Sequence, residues 1–198
     1  MIGQLLDELR HTSWLEAVAV ISGISYVWLI MRRQRLGWPV GALSSIIYVY
    51  LSALHHLPMQ SILQAYYVVM SVYGWFSWTR NAREESGRVY RWSWRRHLLA
   101  VAVIVLISIA SARWLAQETH AAWPMLDSLT TWSSFFATWL IARSVLDNWL
   151  YWICTDAVMV FLFGSRGLVA TSLLFSIYGI VAVFGYFSWL RTYRAASA

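Results

Sequence analysis

The sequence predicts an all-α integral membrane protein in which seven transmembrane helices form two parallel three-helix repeats joined by a linker helix, a 3+1+3 plan. Three observations predict it: an apolar composition, apolar segments of membrane-spanning length, and an internal repeat. Of the 198 residues, 60% are hydrophobic and only 12% are charged, whereas a soluble domain carries about 25% charged residues. One soluble domain of this length cannot bury so much apolar surface, so a lipid bilayer is the expected solvent.

Seven segments have the length that a bilayer requires, because a hydrocarbon core about 30 Å thick takes roughly 20 apolar residues per helix. They cover residues 13–31, 37–55, 58–79, 97–115, 123–142, 147–164 and 167–190. Residues 36–79 carry no Asp, Glu, Lys or Arg. A tight turn at His56 and Leu57 is therefore predicted between the second and third helices, with Pro58 suited to open the third.

The arginines predict the orientation in the membrane. All 15 residues of the Lys and Arg class are arginines, and most of them fall in the loops after helices one, three, five and seven. These loops hold Arg32, Arg33, Arg35, Arg80, Arg83, Arg88, Arg91, Arg95, Arg96, Arg143, Arg191 and Arg194, which leaves Arg10, Arg113 and Arg166 on the other side. By the positive-inside rule, the arginine-rich loops and the C-terminus are cytoplasmic and the N-terminus lies outside.

The strongest internal signal is a repeat. The stretch VYGWFSWTR at 72–80 reappears as VFGYFSWLR at 183–191, an offset of 111 residues. The same offset relates Trp28 to Trp139, Arg32 to Arg143, Trp38 to Trp149 and Glu16 to Asp127. One constant shift across three helices indicates duplication. Because each repeat has three helices and one helix separates them, the repeats run in the same direction.

The organisation that follows has five parts. They are an external segment at 1–12, a first repeat at 13–79, a cytoplasmic loop with linker helix four at 80–122, a second repeat at 123–190 and a cytoplasmic tail at 191–198. The external segment contains Asp7 and Glu8 where a secretory signal would be basic, so it is not expected to be a signal peptide.

Several classes of function are excluded by what the sequence lacks. Without lysine there is neither a Walker A loop nor a Schiff base, and Cys154 as the single cysteine allows neither a disulfide nor a thiolate cluster. No HExxH or GxSxG motif occurs. An enzyme, a cofactor and a metal site are therefore not predicted. The excess of arginine is explained by membrane orientation, so nucleic-acid binding is not predicted either.

Asp156 is the principal candidate for ligand binding. It lies about nine residues into the sixth predicted helix, where an ionised carboxylate costs several kcal/mol unless it is paired. No arginine lies at mid-depth in any predicted helix, so a cationic ligand is the best partner, and helix packing or a salt bridge is the alternative. Trp149 and Trp152 share its helix face and would add cation–π attraction. Trp149 lies near a helix end, where an interfacial belt residue is the alternative.

Further candidate substrate contacts are polar side chains on three helices. They are Asn148 in helix six, Gln60, Gln64, Tyr67 and Ser71 in helix three, and Ser44, Ser45 and Tyr48 in helix two. The helix-three residues follow one another at spacings of three and four, so they share one face. The helix-two residues are related by the 111-residue offset to the region around Asp156. The alternative for all of them is hydrogen bonding or packing between helices.

Gating or structural roles are predicted for four residues. Glu16 and Asp127 occupy matching positions in the first turns of helices one and five, where the helix dipole favours a carboxylate. Capping and an outer gate are preferred for them over ligand contact. Gly74 and Gly185, related by the repeat, permit close helix packing or a hinge.

Three stretches resemble the PnuC family of bacterial vitamin transporters. They are WLEAVAVISGISYV at 14–27, LPMQSILQAYYVVMSVYGWFSW at 57–78 and DNWLYWICTDAVMVFLFGSRGLVATSLLFSIYGIVAVFGYFSW at 147–189. The resemblance implies a bundle similar to the SWEET sugar transporters in the bacterial inner membrane. It further implies facilitated diffusion of an unphosphorylated vitamin by alternating access, with a cytoplasmic vitamin kinase trapping the product. A homo-oligomer is left open.

The resemblance also bears on the cargo. Nicotinamide riboside carriers of the family typically have asparagines at the positions that resemble Ser44 and Asp156, whereas the LQxYYVVMSxYGW run is similar to members linked to thiamine uptake. Thiamine is therefore the expected cargo, and nicotinamide riboside, which is also cationic, is the alternative. Riboflavin is neutral and ranks third. A vitamin-binding subunit of an ATP-driven importer is the alternative outside the transporter class, although a duplicated chain supplies both gates by itself.

Overall fold

Seven α-helices make up nearly all of the described chain. The computed structural model describes residues 14–54, 58–84, 88–118, 123–165 and 167–196. The helices are α1 (Trp14–Met31), α2 (Gly37–Leu54), α3 (Pro58–Glu84), α4 (Trp94–Glu118), α5 (Pro124–Ala142), α6 (Asn148–Ser165) and α7 (Val169–Ala195). The predicted all-α class with seven helices is confirmed. The external segment, the turn at His56 and Leu57, and Arg166 lie outside the described residues.

Three helices extend beyond their predicted ends. Helix α3 continues five residues past position 79 to Glu84, α4 begins at Trp94 instead of 97, and α7 ends at Ala195 instead of 190. The prediction counted only the apolar residues that a bilayer holds. The observed helices run on through the polar, arginine-containing sequence, because backbone hydrogen bonding does not stop where the hydrocarbon does.

Four helices are long and apolar enough, by composition, to cross a membrane. Within the described ranges they are α1, α2, most of α4 (Trp94–Gln117) and most of α7 (Thr171–Ala195). The other three, α3, α5 and α6, contain no stretch of 18 residues with that hydropathy and carry many of the polar candidates, including Gln64 and Asp156. A span that turns polar residues toward its neighbours loses mean hydropathy without losing its place in the bundle.

Six of the helices form a closed ring. Consecutive helices pack together within each repeat, α1 on α2 on α3 and α5 on α6 on α7, and the repeats meet where α3 packs on α5 and α1 packs on α7. The two contacts between repeats are equivalent, because the 111-residue offset relates α1 to α5 and α3 to α7. Among the described elements the linker helix α4 packs mainly on α5, outside the ring, and its His97 also contacts Tyr151 of α6. Residues that face the ring centre are therefore positioned by both repeats.

The duplication is preserved in the backbone where each repeat's first helix ends. Arg33 (φ 58°) and Ser144 (φ 55°), related by the offset, both adopt the left-handed conformation that usually favours glycine. In each repeat this residue's N–H bonds to the carbonyl three residues back and the next N–H bonds to the carbonyl five back, at 2.8 to 2.9 Å. This is a Schellman motif. Since the residue types differ, the backbone reveals a symmetry that residue matching misses.

Each repeat seats a tryptophan against a glycine. A Cβ added to Gly74 would lie 2.4 Å from the Trp38 ring, and one added to Gly185 would lie 2.7 Å from the Trp149 ring. Real Cβ atoms do not approach so closely, so the absence of a side chain lets α3 and α7 press against these indoles. Trp38 and Trp149 are consequently 1% exposed.

Two further tryptophans connect the repeats. Trp78 of α3 donates its indole N–H to the carbonyl of Ile141 at 3.0 Å, and Trp189 of α7 donates to the carbonyls of Ile30 and Met31 at 3.2 Å. Each bond joins the last helix of one repeat to the end of the first helix of the other. With Trp38 and Trp149 these residues form a continuous tryptophan layer, whose successive ring centroids are 5.4, 5.9 and 5.7 Å apart.

Candidate functional site

Asp156 is the acidic residue that the described structure places at mid-depth of the ring. It is the ninth of the 18 residues of α6 and is 3% exposed. Gly179 of α7 approaches it closely, because a Cβ at Gly179 would lie 3.6 Å from the Asp156 Cβ. Within the described residues, no hydrogen bond or salt bridge reaches its carboxylate. The ring thus holds a buried acidic group without a protein counter-charge among the described side chains.

Two tyrosine side chains lie near this carboxylate, and three further hydroxyl residues lie near those tyrosines. Tyr67 of α3 and Tyr178 of α7, related by the 111-residue offset, lie within electrostatic range of it. Three further hydroxyl residues border these two tyrosines. They are Ser134 of α5 and Tyr26 of α1 near Tyr67, and Tyr48 of α2 near Tyr178. We call these six residues, one from each ring helix, the Asp156 cluster.

Ser44 lies where α1, α2 and α7 converge. Its hydroxyl donates to the Ala19 carbonyl at 2.8 Å and is buried. A Cβ on Gly23 would lie 3.2 Å from the Ser44 hydroxyl and 3.1 Å from the Tyr178 hydroxyl. The hydroxyl of Ser44, which the sequence predicted, and that of Tyr178, which it did not, therefore lie close together at the α1–α7 contact between the repeats. The neighbouring Ser45, the offset counterpart of Asp156, is buried as well.

The helix-six candidates divide by depth. Trp152 lies one turn from Asp156, half-buried, and its buried indole N–H has no partner among the described residues. Trp149 lies two turns away, about 10 Å along the axis, packed into the tryptophan layer and not at the surface. Asn148 is 0% exposed and donates to the Val145 carbonyl at 2.7 Å. The structure therefore places Trp152 between the two levels, one turn from Asp156 and packed against the core that contains the tryptophan layer, and it places Trp149 and Asn148 at the arginine-rich end.

The helix-three candidates are not all brought inside. Tyr67 belongs to the Asp156 cluster, Ser71 is buried, and Gln64 is half-buried. Gln60, near the start of α3, is exposed. The spacings of three and four predicted that these residues share one face of α3. They do not share one environment, because Gln60 at the start of that face is exposed and Ser71 further along it is buried.

The predicted gate carboxylates lie at the end of the ring opposite the tryptophan layer. Glu16 is exposed in the first turn of α1 and is within electrostatic range of the Tyr48 hydroxyl. Asp127 is half-buried in the first turn of α5, and its backbone carbonyl accepts hydrogen bonds from Thr130 and Thr131 at 3.1 and 2.8 Å. Both positions agree with the offset that related them in the sequence.

Three members of the Asp156 cluster were not predicted from the sequence. Tyr178 could have been found by applying the 111-residue offset to Tyr67. Tyr26 and Ser134 carry no such signal, because the offset relates them to Ala137 and Gly23, which have no hydroxyl. They join the site only because neighbouring helices turn them toward it.

A closed ring of two parallel repeats around a mid-depth polar cluster is the plan of a repeat-built membrane transporter. The comparisons with known proteins identify the family. The sequence profile described as "Nicotinamide mononucleotide transporter" matches residues 13–191. The chain belongs to this family, the PnuC transporters, which confirms the resemblance seen in the sequence.

Its similarity to individual family members extends over nearly the full chain. It is 23% identical to the nicotinamide riboside transporter PnuC of Escherichia coli K12, over 92% of this chain and 87% of that one. It is 26% identical to the riboflavin/roseoflavin transporter RibM of Streptomyces davaonensis, over 93% and 89%. Its fold matches the crystal structure of the vitamin B3 transporter PnuC with a TM-score of 0.78 and 23% identity, over 98% of this chain and 88% of that chain. The chain is thus a multi-pass membrane transporter.

Proposed function

We propose that the chain carries a cationic vitamin across the membrane by facilitated diffusion, with Asp156 as the counter-charge of the bound cargo. The observation that carries this proposal is a buried carboxylate at mid-depth of the ring, with Tyr67 of one repeat and Tyr178 of the other near it. A carboxylate at this depth is costly unless a cation pairs with it. A bound cation supplies that pairing, and a neutral ligand does not.

Two cationic vitamins fit this requirement. Thiamine is the cargo that the sequence resemblance favours, and its thiazolium ring carries a fixed positive charge. Nicotinamide riboside carries a pyridinium charge, and relatives of this chain are named for it. Both are flat, so the Trp152 indole beside the carboxylate can add cation–π attraction to either. Riboflavin, for which RibM is named, is neutral and would leave the carboxylate unpaired.

The transport cycle is proposed to use the two ends of the ring in turn. The tryptophan layer fills the arginine-rich end, which the positive-inside rule assigns to the cytoplasm. In this conformation the layer therefore blocks the path from Asp156 to the cytoplasm. Release inward requires the two repeats to rock and part this layer. Glu16 and Asp127 border the opposite, outward entrance. Phosphorylation by a cytoplasmic vitamin kinase would then keep the cargo inside.

Calorimetric titration of the purified transporter tests the cargo class. Thiamine, nicotinamide riboside and riboflavin are titrated separately, and binding of at least one of the two cations is expected. Asp156→Asn should weaken that binding by about tenfold or more, because a charge-assisted contact contributes about 1.5–3 kcal/mol. Cys154→Ser is the matched control, since Cys154 lies on the same helix but is exposed on its outer side.

Two results would count against the proposal. Binding of riboflavin alone would contradict a cationic cargo, and an unchanged cation affinity in Asp156→Asn would remove this residue from the site. Flux into sealed vesicles that contain this protein alone tests the transport mode separately. Uptake down a gradient without ATP is expected, and its absence would favour a subunit of an ATP-driven importer.

A further inference from the structure

A second site is built at the arginine-rich end, away from the Asp156 cluster. A cavity of about 400 Å³ lies among the end of α3, the segment 88–93, the start of α4 and the end of α5. Four arginines are among the residues that line it, Arg80, Arg91, Arg96 and Arg143. Its volume lies within the range of about 300–1,000 Å³ found for small-molecule sites.

Two tryptophans, Trp92 and Trp139, form one wall of this cavity. The guanidinium of Arg143 lies 5.9 Å from the Trp139 ring centre, and that of Arg96 lies 5.9 Å from the Trp92 ring centre. The two indoles contact each other edge to face, with centroids 5.6 Å apart. Each of these arginines therefore rests against an aromatic surface within the cavity, which limits the positions that its donors can reach.

The described residues that line the cavity include no carboxylate. Asp147 lies behind the wall, where it pairs with Arg91 at 3.3 Å and accepts the backbone N–H of Trp92 at 2.9 Å. Its side chain is 4% exposed, so it holds the segment in place and does not fill the cavity. Asn81, also in the lining, has its amide N–H₂ engaged by the Arg88 carbonyl and the Ser144 hydroxyl.

We propose that this cavity binds a phosphate monoester carried on a flat aromatic ring. Arginine forks match phosphate oxygens in bidentate geometry, and the rings of Tyr90, Trp92 and Trp139 give the cavity an aromatic lining against which a flat ring can pack. The Asp156 cluster would repel such a ligand because it presents a carboxylate. The chain thus separates a site of negative charge in the ring from a site of positive charge at its arginine-rich end.

Phosphate can reach this cavity from two sources, a soluble phosphorylated compound or a phospholipid headgroup. The aromatic wall favours the soluble source, since a headgroup has no ring to place against it. Phenyl phosphate is therefore the probe. Phenol and inorganic phosphate, which carry only its ring or only its phosphate, are the control ligands. In nanodiscs of phosphatidylcholine, calorimetry should show saturable binding of phenyl phosphate, weaker binding of inorganic phosphate and no binding of phenol.

Arg143→Gln is the test variant, and the repeat supplies its control. Arg32 is the offset counterpart of Arg143, is equally exposed, and lies 4.7 Å from the ring centre of Trp28. Arg143→Gln should weaken phenyl phosphate binding about tenfold, whereas Arg32→Gln should change it by less than about twofold. If Arg143→Gln does not fold, Arg96→Gln at the exposed start of α4 carries the same expectation.

Three results would overturn the proposal. One is that phenyl phosphate does not bind, and another is that Arg32→Gln weakens binding as much as the cavity variants do. The third is that binding disappears in nanodiscs with about one third phosphatidylglycerol, since headgroups would then occupy the cavity in a natural anionic membrane. Binding that persists there supports a soluble ligand.

Discussion

Gly74 and Gly185 determine how closely the second and third helices of each repeat approach. Their missing side chains leave the space that Trp38 and Trp149 occupy. In a membrane the lipid tails are as apolar as the side chains, so close packing, and not hydrophobic burial, holds helices together. A single methyl group at these positions therefore acts on a contact that stabilises the bundle.

Gly74→Ala and Gly185→Ala should each destabilise the protein by about 1–3 kcal/mol, because the added Cβ forces the indole or the backbone to move. Thermal unfolding in detergent measures the effect. Gly164→Ala is the control, since a Cβ there would lie at an ordinary 3.4 Å from the Ser172 hydroxyl. An equal loss of melting temperature in all three variants would show that the indole contacts are not the cause.

Residue by residue, the sequence showed the charged member of the site but only part of its surroundings. Asp156 is conspicuous because a lone carboxylate in an apolar helix is costly wherever it points. Tyrosine is not conspicuous in the same way, since its ring is as suited to lipid or to packing as to a cavity. Tyr26 could therefore not be told from other aromatic residues until the neighbouring helices were known, whereas the 111-residue offset from Tyr67 does single out Tyr178.

At the scale of the elements, the segment 88–93 is joined to the loop between α5 and α6 of the second repeat. Tyr90 exchanges backbone hydrogen bonds with Ser144 and Leu146 at 2.9 and 2.8 Å. Asp147 adds the bond to the Trp92 N–H, the ion pair with Arg91 and a contact of 3.2 Å with the His97 ring. The linker helix is thereby tied to the second repeat at its arginine-rich end.

Asp147→Asn should destabilise this connection by about 1–3 kcal/mol, because a buried acceptor of several hydrogen bonds loses its charge. Arg91→Gln should cost less than about 1 kcal/mol, since the Arg91 side chain is 47% exposed and solvent weakens the pair. Hydrogen exchange of residues 88–97, together with thermal unfolding, measures both. If Arg91→Gln costs as much as Asp147→Asn, the ion pair, and not the bond to the backbone, dominates the connection.

The tryptophan layer is the second element-scale feature with a measurable consequence. Trp78→Phe and Trp189→Phe each remove an indole N–H that bonds a carbonyl of the other repeat, at an expected cost of about 0.5–1.5 kcal/mol. The double variant should deviate from the sum of the two, because the rings are in contact. Denaturant unfolding measures these free energies, and the exposed Trp94→Phe serves as control. A loss no greater than that of the control would mean that these bonds do not hold the repeats together.

At the scale of the whole molecule, the arginine asymmetry makes a prediction about orientation. In a Cys154→Ser background, a cysteine introduced as Trp123→Cys should react with a membrane-impermeant thiol reagent in intact cells, because position 123 precedes α5 on the arginine-poor side. A cysteine introduced as Ala196→Cys, after α7, should react only in broken cells. Both positions are exposed in the structure. The reverse labelling pattern would mean that the arginine-rich end faces outward.

The sequence by itself determined the number of helices, their duplication and their parallel repeats. These properties follow from segment length, mean hydropathy and residue matching. Length and hydropathy are informative because each membrane span must satisfy its own backbone hydrogen bonds and is therefore a helix long enough to cross the bilayer. The helix ends were less accurate, since α3 and α7 continue beyond the hydrocarbon.

Only the tertiary structure decided which residues meet. The order of the ring, the joining of α1 to α7 and α3 to α5, and the facing of each helix are set by side-chain packing between segments far apart in the chain. Apolar periodicity could not reveal them, because lipid and bundle interior are both apolar and a membrane helix has no wet face to mark its inner one. For this reason Gln60 and Tyr67, on one stripe of α3, lie in different surroundings, and Tyr26 belongs to the Asp156 cluster without any signal in the sequence.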